Sequence, residues 1–198
     1  MSTAAASAPR QGLVLADLLP ASRAKSAVDA ALVLGGAALT GVAAQISVTV
    51  PGSPVPVTGQ TFAALLVGTA LGARRGFLSL ALYALAGMAG VPWFAEASSG
   101  WAMPSLGYIL GMLVAATVVG ALARRGADRS VLRTAGAMVL GSAIIYAIGV
   151  PYLALATGMT LTQAVAAGLT PFLIGDALKA ALAMGALPAV WKLLGRRG

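Results

Sequence analysis

Two charged residues, Asp176 and Lys179, lie one helical turn apart within the last long apolar stretch of the sequence. At about 1.5 Å per residue, Lys179 lies about 12 Å into a helix that begins near Pro171. An ionised side chain this deep in a membrane costs roughly 2.5–3.5 kcal/mol to insert. The lysine is suited to an anionic group and the carboxylate to N–H donors, so the pair predicts a polar ligand pocket. The alternative is a pair that only neutralises itself, since residues three apart share a helix face.

Other polar or aromatic side chains are sparse and make weaker candidates. Tyr108 and Tyr146 are expected near the same end of two further apolar segments, where they would line the same pocket. Gln60 begins another segment and is a third candidate. Each of them is also consistent with simple packing or an interhelical hydrogen bond. Trp93 and Glu96 belong to a loop that is either an aromatic membrane anchor or a lid over the pocket.

The sequence lacks the residues of most catalytic and metal sites. It has no Cys and no His, which removes thiol chemistry, Cys/His metal sites and His-based acid–base catalysis. It contains no Walker A, GxSxG or HExxH sequence. We therefore expect no enzymatic activity, no bound cofactor and no metal. Uphill transport by such a chain would need an ion gradient or a partner that hydrolyses ATP.

The composition indicates an integral membrane protein. Of its 198 residues, 59% are hydrophobic and 9% are charged, and the mean hydropathy is +0.92. A soluble domain carries roughly 25% charged residues. The length accommodates about six spans of roughly 20 residues, so we predict an all-α bundle. The six apolar segments run from about Ala27 to Val48, Gln60 to Leu71, Phe77 to Gly90, Pro104 to Ala123, Thr134 to Ala156 and Thr170 to Leu194.

The basic residues predict the orientation of these segments. All Lys and Arg residues except Lys179 precede, follow or connect the segments on one side, and the loops of the other side have none. By the positive-inside rule, both termini are cytoplasmic in a multi-pass protein of the cell membrane. The net charge of +8 is therefore a topology signal rather than a nucleic-acid site. Residues 1–26 are expected to form a cytoplasmic tail and 195–198 a basic C-terminus, on either side of a membrane domain at 27–194.

Small residues recur every four positions along the first segment. Ala27, Ala31 and Gly35 form one such row, and Gly36, Thr40 and Ala44 form a second. Small side chains let a neighbouring helix approach closely. The pattern fits packing within the chain or contact with a separate membrane protein.

Several motifs, in order along the chain, resemble the BioY family, the biotin-specific substrate-binding (S) components of energy-coupling factor (ECF) transporters. They are residues 44–46 (AQI), 55–62 (VPVTGQTF), 71–76 (LGARRG), 87–94 (GMAGVPWF), 107–108 (GY) and 171–180 (PFLIGDALKA). The resemblance covers about residues 27–194. The chain departs from the family's pattern at Gly59 and at Glu96.

The resemblance implies a six-helix S-component fold with biotin as the ligand. It assigns Lys179 to the biotin carboxylate and Asp176 to its polar ring, with Glu96 at the ring or in water. It also implies two cytoplasmic ATPases, which would use the ATP, and a membrane coupling protein that contacts Ala27, Ala31 and Gly35. The residues alone leave other readings open: an S component for another vitamin, a secondary transporter with Asp176 as its coupling-ion site, or a scaffold without a ligand.

Overall fold

The structure, a computed structural model, describes residues 12–19 and 24–195, and this part of the chain is mostly helical. The rest of the predicted tail and the last three residues of the C-terminus lie outside the described residues. The α-helices are α1 (Lys25–Ala44), α2 (Gln60–Leu71), α3 (Ala73–Met88), α4 (Leu106–Arg124), α5 (Val131–Thr157), α6 (Leu161–Gly168) and α7 (Leu173–Gly195). Short 3-10 helices cover Leu15–Leu18, Ala95–Ala97 and Thr170–Phe172.

Four stretches of the described chain are long and apolar enough to cross a membrane: α1, α4, α5, and α6 continuing into α7. The two helices that do not meet this criterion are α2, with 12 residues, and α3, with 16 residues. Helix α3 follows α2 after the single residue Gly72, whose positive φ of 84° few other residues adopt. The chain therefore reverses direction within one residue.

Helix α4 lies at the centre of the bundle and packs against α2, α3 and α5. Its inward-facing side chains are small, and Ala115, Ala116 and Ala123 are completely buried. The small residues allow close approach: a Cβ atom on Gly120 would lie 2.5 Å from the backbone nitrogen of Ala73. Close packing at the centre of this bundle therefore depends on small residues, which let the helix backbones approach one another.

The Pro-rich connection between α1 and α2 is not helical, as its prolines predict. Strands β1 (Ser47–Val48) and β2 (Val57–Thr58) pair antiparallel on either side of it, with Ser47 opposite Thr58. This hairpin, the α3–α4 connection and α6 lie at one end of the bundle, which we call the loop end. The opposite end carries the basic residues and is called the basic end.

Two connections between the helices differ from the sequence prediction. Arg74 and Arg75 were expected in a loop, but they belong to the first turn of α3, because Gly72 alone makes the turn. The connection expected from Thr157 to Leu169 contains helix α6. Thr160 and Gln163 cap α6 reciprocally, each side chain bonding to the other's backbone N–H. This Thr-x-x-Gln spacing is a helix-start signal that the sequence contains.

Residues 12–19 are tied to the basic end, an arrangement that the sequence did not predict. Gly12 and Arg124 exchange hydrogen bonds, and Val14 is completely buried. Asp17 forms ion pairs with Arg75 at 2.7 Å and with Arg124 at 3.3 Å. Burial alone would raise the pKa of Asp17, but the hydrogen bond from Arg75 and the nearby positive charges bring it below its ordinary value. Asp17 is therefore ionised at neutral pH.

Gly120→Ala should destabilise the bundle, and Gly185→Ala should not. Both glycines lie inside helices, where Gly→Ala ordinarily stabilises by about 0.5–1 kcal/mol. A Cβ atom on Gly185 meets nothing within 4 Å, so that variant keeps the gain. At Gly120 the added atom meets backbone, and overpacking of this kind typically costs 1–3 kcal/mol. Unfolding temperatures of the two variants in detergent measure the difference; equal temperatures would contradict the described packing of α4.

Candidate ligand-binding site

Asp176 and Lys179 lie in the first two turns of α7, near the loop end, and both are largely buried. Their side chains are 15% and 18% exposed, and Lys179 Nζ lies 3.2 Å from Asp176 Oδ1. Other helices supply further partners. Lys179 Nζ donates to Thr61 Oγ1 of α2 at 2.8 Å, and the Tyr146 hydroxyl of α5 donates to Asp176 Oδ2. The charged pair therefore joins three helices.

An aromatic cluster lies beside this pair. Tyr108, Tyr146 and Phe172 have ring centroids 6.4 Å apart in each pairing, with Phe172 stacked on Tyr108 and Tyr146 edge-on to both. Tyr108 is buried and its hydroxyl donates to the carbonyl of Gly168 at 2.8 Å. Tyr108 thus ties the end of α6 to α4. Tyr146 is the member that contacts the charged pair.

A cleft of about 680 Å³ opens between α5, α6 and α7. This is within the usual range of ligand sites, about 300–1,000 Å³. Its walls are mainly apolar, and Asp176 and Tyr146 are among its few polar members. The lining also includes Met138, Ser142, Ala143, Val150, Leu161, Val165, Leu169, Leu173 and Ala180. The arrangement suits a ligand with an apolar body and a polar end that faces Asp176.

Lys179 lies behind Asp176 rather than in this cleft. The gap between Lys179, Thr61 and Asp176 is only about 10 Å³, about the space of one water molecule. A ligand entering between α5 and α7 would meet the carboxylate first. The ammonium group lies 3.2 Å from Asp176 Oδ1, so it adjoins the carboxylate that such a ligand would meet.

Two of the other predicted site residues, Gln60 and Trp93, form a second group around Tyr83 on α3. Gln60 Oε1 accepts a hydrogen bond from the Tyr83 hydroxyl at 2.7 Å, and Trp93 Nε1 donates to the Tyr83 carbonyl at 3.0 Å. The exposed Glu96 accepts from Thr49 Oγ1 at 3.3 Å. The structure therefore does not bring Gln60, Trp93 or Glu96 into contact with the charged pair. The two groups approach each other at the start of α2, where Gln60 is followed by Thr61.

Gln45 makes three hydrogen bonds to the connection that carries Trp93 and Glu96. Gln45 Nε2 donates to the carbonyls of Trp93 and Phe94 at 3.0 and 3.1 Å, and Gln45 Oε1 accepts from the backbone N–H of Ala97 at 3.1 Å. Glu96 and Ala97 have positive φ values of 58° and 54°, which are costly for residues other than glycine. The Gln45 hydrogen bonds offset part of that strain.

Comparison with known proteins places the chain in a family. The family model described as "BioY family" matches residues 17–196. The chain belongs to the BioY family. This confirms the resemblance in the sequence motifs, and because members of the family are transport components, the chain is not an enzyme.

Individual BioY relatives match over most of their length. A protein of Pyrococcus horikoshii named "Probable biotin transporter BioY" is 38% identical over 161 residues, 80% of this chain and 93% of its own. "Biotin transporter BioY" of Rhizobium etli is 33% identical over 140 residues, covering 66% of this chain and 74% of its own. These matches support the description of the chain as a membrane protein of the BioY family.

A solved structure supports the same fold. The structure described as the "S-component for biotin from an ECF-type ABC transporter" superposes with a TM-score of 0.77 and covers 87% of this chain and 95% of its own length. Its sequence identity is 18%, so the likeness concerns the fold alone. The all-α, S-component-like bundle predicted from the sequence is confirmed.

The two rows of small residues on α1 have different environments within this BioY fold. Gly36, Thr40 and Ala44 are buried, and a Cβ atom on Gly36 would collide with Ser79 of α3. Ala27, Ala31 and Gly35 are exposed. Packing within the described chain therefore uses the second row and leaves the first row uncovered.

Sequence reasoning did not single out Thr61 or Phe172. Thr61 supplies the acceptor for Lys179, and Phe172 completes the aromatic cluster. For Phe172 the sequence did contain a signal: it is an aromatic residue four positions before Asp176, which is about the spacing of one helical turn. Thr61 carried none beyond its place next to Gln60, since its partner is 118 residues away.

Gln45→Ala should loosen the α3–α4 connection without unfolding the bundle. The variant loses three hydrogen bonds to this connection, each worth about 0.5–1.5 kcal/mol net. Amide exchange at residues 93–98 should accelerate by about tenfold or more. Gln163→Ala is the matched control, because the side chain of Gln163 bonds to Thr160 at the start of α6 and to no residue of the described α3–α4 connection. Unchanged exchange at residues 93–98 would show that Gln45 does not hold this segment.

Proposed function

We propose that this chain captures biotin at its loop end and delivers it as the S component of an ECF-type transporter. The observation that carries the proposal is the buried Asp176–Lys179 pair beside an apolar cleft, in a member of the BioY family. The names of the relatives and of the similar structure supply the ligand. No part of the proposal requires a cofactor bound by this chain.

The chemistry of biotin suits the cleft. Biotin has a ureido ring with two N–H donors and one carbonyl at one end, an apolar fused ring, and an aliphatic chain that ends in a carboxylate. Asp176 would accept from the ring N–H groups, while the apolar walls contact the fused ring and chain. The stacked aromatic rings of Tyr108 and Phe172 would support that wall from behind.

The short distance between Lys179 and Asp176 limits which part of biotin Lys179 could contact. Lys179 Nζ is 3.2 Å from Asp176 Oδ1, so both groups would meet the same end of a ligand. A ligand carboxylate at Lys179 would lie beside the Asp176 carboxylate, and like charges repel. We therefore propose that Lys179 donates to the ureido carbonyl. The assignment of Lys179 to the biotin carboxylate, implied by the family resemblance, is the alternative that the next experiment tests.

Lys179→Ala should weaken the binding of biotin and of biotin amide to the same extent. Truncating one partner of a buried, hydrogen-bonded charged pair typically costs about 2–5 kcal/mol. Equilibrium binding of both labelled ligands to the purified chain measures the effect. The matched control is Lys192→Ala, which makes the same change at an exposed position of the same helix. A much larger loss of affinity for biotin than for biotin amide would show that Lys179 binds the biotin carboxylate.

The same assay distinguishes a ligand site from a self-neutralising pair. If Asp176 and Lys179 serve only each other, the double change Asp176→Asn and Lys179→Met should keep folding and affinity near those of the unmodified chain. A ligand site predicts loss of binding in the double variant. Near-normal biotin affinity in that variant would exclude the pocket at this position, and absence of biotin binding by the unmodified chain would exclude the function itself.

The energy for transport would come from ATP hydrolysis by partner proteins. The chain has no nucleotide-binding sequence, so two cytoplasmic ATPases would use the ATP, and a membrane coupling protein would connect them to this chain. The basic end would face the cytoplasm with both termini, because the loops at the other end lack Lys and Arg. Biotin would then enter the loop end from outside the cell membrane.

The exposed row of Ala27, Ala31 and Gly35 is proposed as the contact with the coupling protein. Ala31→Leu should reduce copurification of that protein while leaving biotin affinity unchanged, since a larger side chain prevents close helix approach. Ala121→Leu, an exposed alanine of α4, controls for the added bulk in lipid. Normal copurification of the Ala31→Leu variant would show that the partner binds elsewhere.

A further inference from the structure

A groove of about 730 Å³ lies between α1 and α3 and opens at the basic end. It is separate from the biotin cleft, which is formed by α5, α6 and α7. Its lining changes character along its length. Charged side chains of α1, α3, α4 and residues 12–19 surround the mouth, whereas Val33, Leu78, Leu82 and Leu85 line the part deeper in the bundle.

The mouth of the groove has an excess of positive charge. Four cations and two carboxylates line it. Both carboxylates, Asp17 and Asp29, are paired with Arg75 at 2.7 Å. Arg74 and Lys25 are exposed, and neither side chain forms an ion pair or hydrogen bond with any residue in ranges 12–19 and 24–195. Two cations are therefore available to an anion at the mouth.

The length of the groove matches one leaflet of a bilayer. Helices α1 and α3 both start at the basic end and run side by side. From Arg74 to Leu85 the chain advances eleven residues, or about 16 Å at about 1.5 Å per residue. Half of a hydrocarbon core about 30 Å thick is about 15 Å. A molecule with an anionic head at the mouth would place an acyl chain of ordinary length along the apolar part.

We propose that this groove is a binding site for one anionic phospholipid of the leaflet at the basic end. Lys25 and Arg74 contact the phosphate, and one acyl chain packs between α1 and α3 against Val33, Leu78 and Leu82. Basic pockets between membrane helices on the cytoplasmic side are suited to lipid head groups of this kind. Arg75 is already held by two carboxylates, so it shapes the mouth rather than binding the lipid.

The groove is distinct from the exposed row of Ala27, Ala31 and Gly35. Ala31 and the buried Thr40 are nine residues apart, which is two and a half turns, so they lie on opposite faces of α1. The groove borders the buried face, where α1 meets α3. A lipid in the groove and a protein on the small-residue row can therefore occupy α1 together.

The test is binding of fluorescently labelled phosphatidylglycerol and phosphatidylcholine to the full chain in detergent. The unmodified chain should prefer phosphatidylglycerol. The double variant Lys25→Gln and Arg74→Gln should lose this preference, with affinity for phosphatidylglycerol falling about 10- to 30-fold, as expected for two cations near a membrane surface. Arg125→Gln with Arg133→Gln removes the same charge from exposed positions of the basic end outside the groove, and should have little effect.

A second variant tests the apolar part without changing charge. Ala81 also lines the groove, and Ala81→Phe should fill it and reduce binding of phosphatidylglycerol at least fivefold, with unfolding temperature as a check on folding. Several outcomes would overturn the proposal: equal binding of the two lipids, an equal loss in the Arg125/Arg133 variant, no effect of Ala81→Phe, or displacement by inorganic phosphate. Loss of the coupling protein, with lipid binding retained, in the Lys25/Arg74 variant would assign the groove to that protein instead.

Discussion

A lysine and a carboxylate inside a bundle surrounded by lipid need hydrogen-bonding partners from the protein, because the hydrocarbon offers none. Asp176 and Lys179 find them in each other, in Thr61 of α2 and in Tyr146 of α5. These contacts connect α7 to two other helices. Asp176 also lines the α5–α6–α7 cleft. The charged pair that ties α7 to the rest of the bundle therefore also contributes to the cleft wall.

The side of the bundle built on α4 is packed differently. Alanine and glycine bring α4 close to α2 and to the α2–α3 link, so backbone meets backbone there. Contacts of this kind leave little room for rearrangement, since protein interiors are close-packed. Helix α5, in contrast, meets the start of α7 through a hydrogen bond from Tyr146 to Asp176 and a ring contact between Tyr146 and Phe172, beside the cleft. The described chain therefore combines a tightly packed part with a part that has space for a ligand.

A residue's role can be predicted from the sequence only where its environment restricts which residue type can occupy the position. The cost of burying Asp176 and Lys179 made them recognisable, and the distribution of Lys and Arg gave the two ends of the bundle. The two small-residue rows of α1 could not be distinguished, because lipid tails are as apolar as a protein core and select the same side chains. Thr61 escaped for another reason: its role depends on a contact 118 residues away.

The hydrogen-bond partners of the charged pair on other helices are neutral hydroxyl groups, which a ligand could displace. A second full charge from another helix would satisfy Asp176 so strongly that a ligand would gain little by replacing it. Tyr146 and Thr61 are hydroxyl groups, which donate or accept and can rotate. They lower the cost of the empty site without adding a competing ion. A ligand with N–H donors and a carbonyl could then exchange its hydrogen bonds for theirs, and the net gain would come mainly from the apolar surface it buries in the cleft.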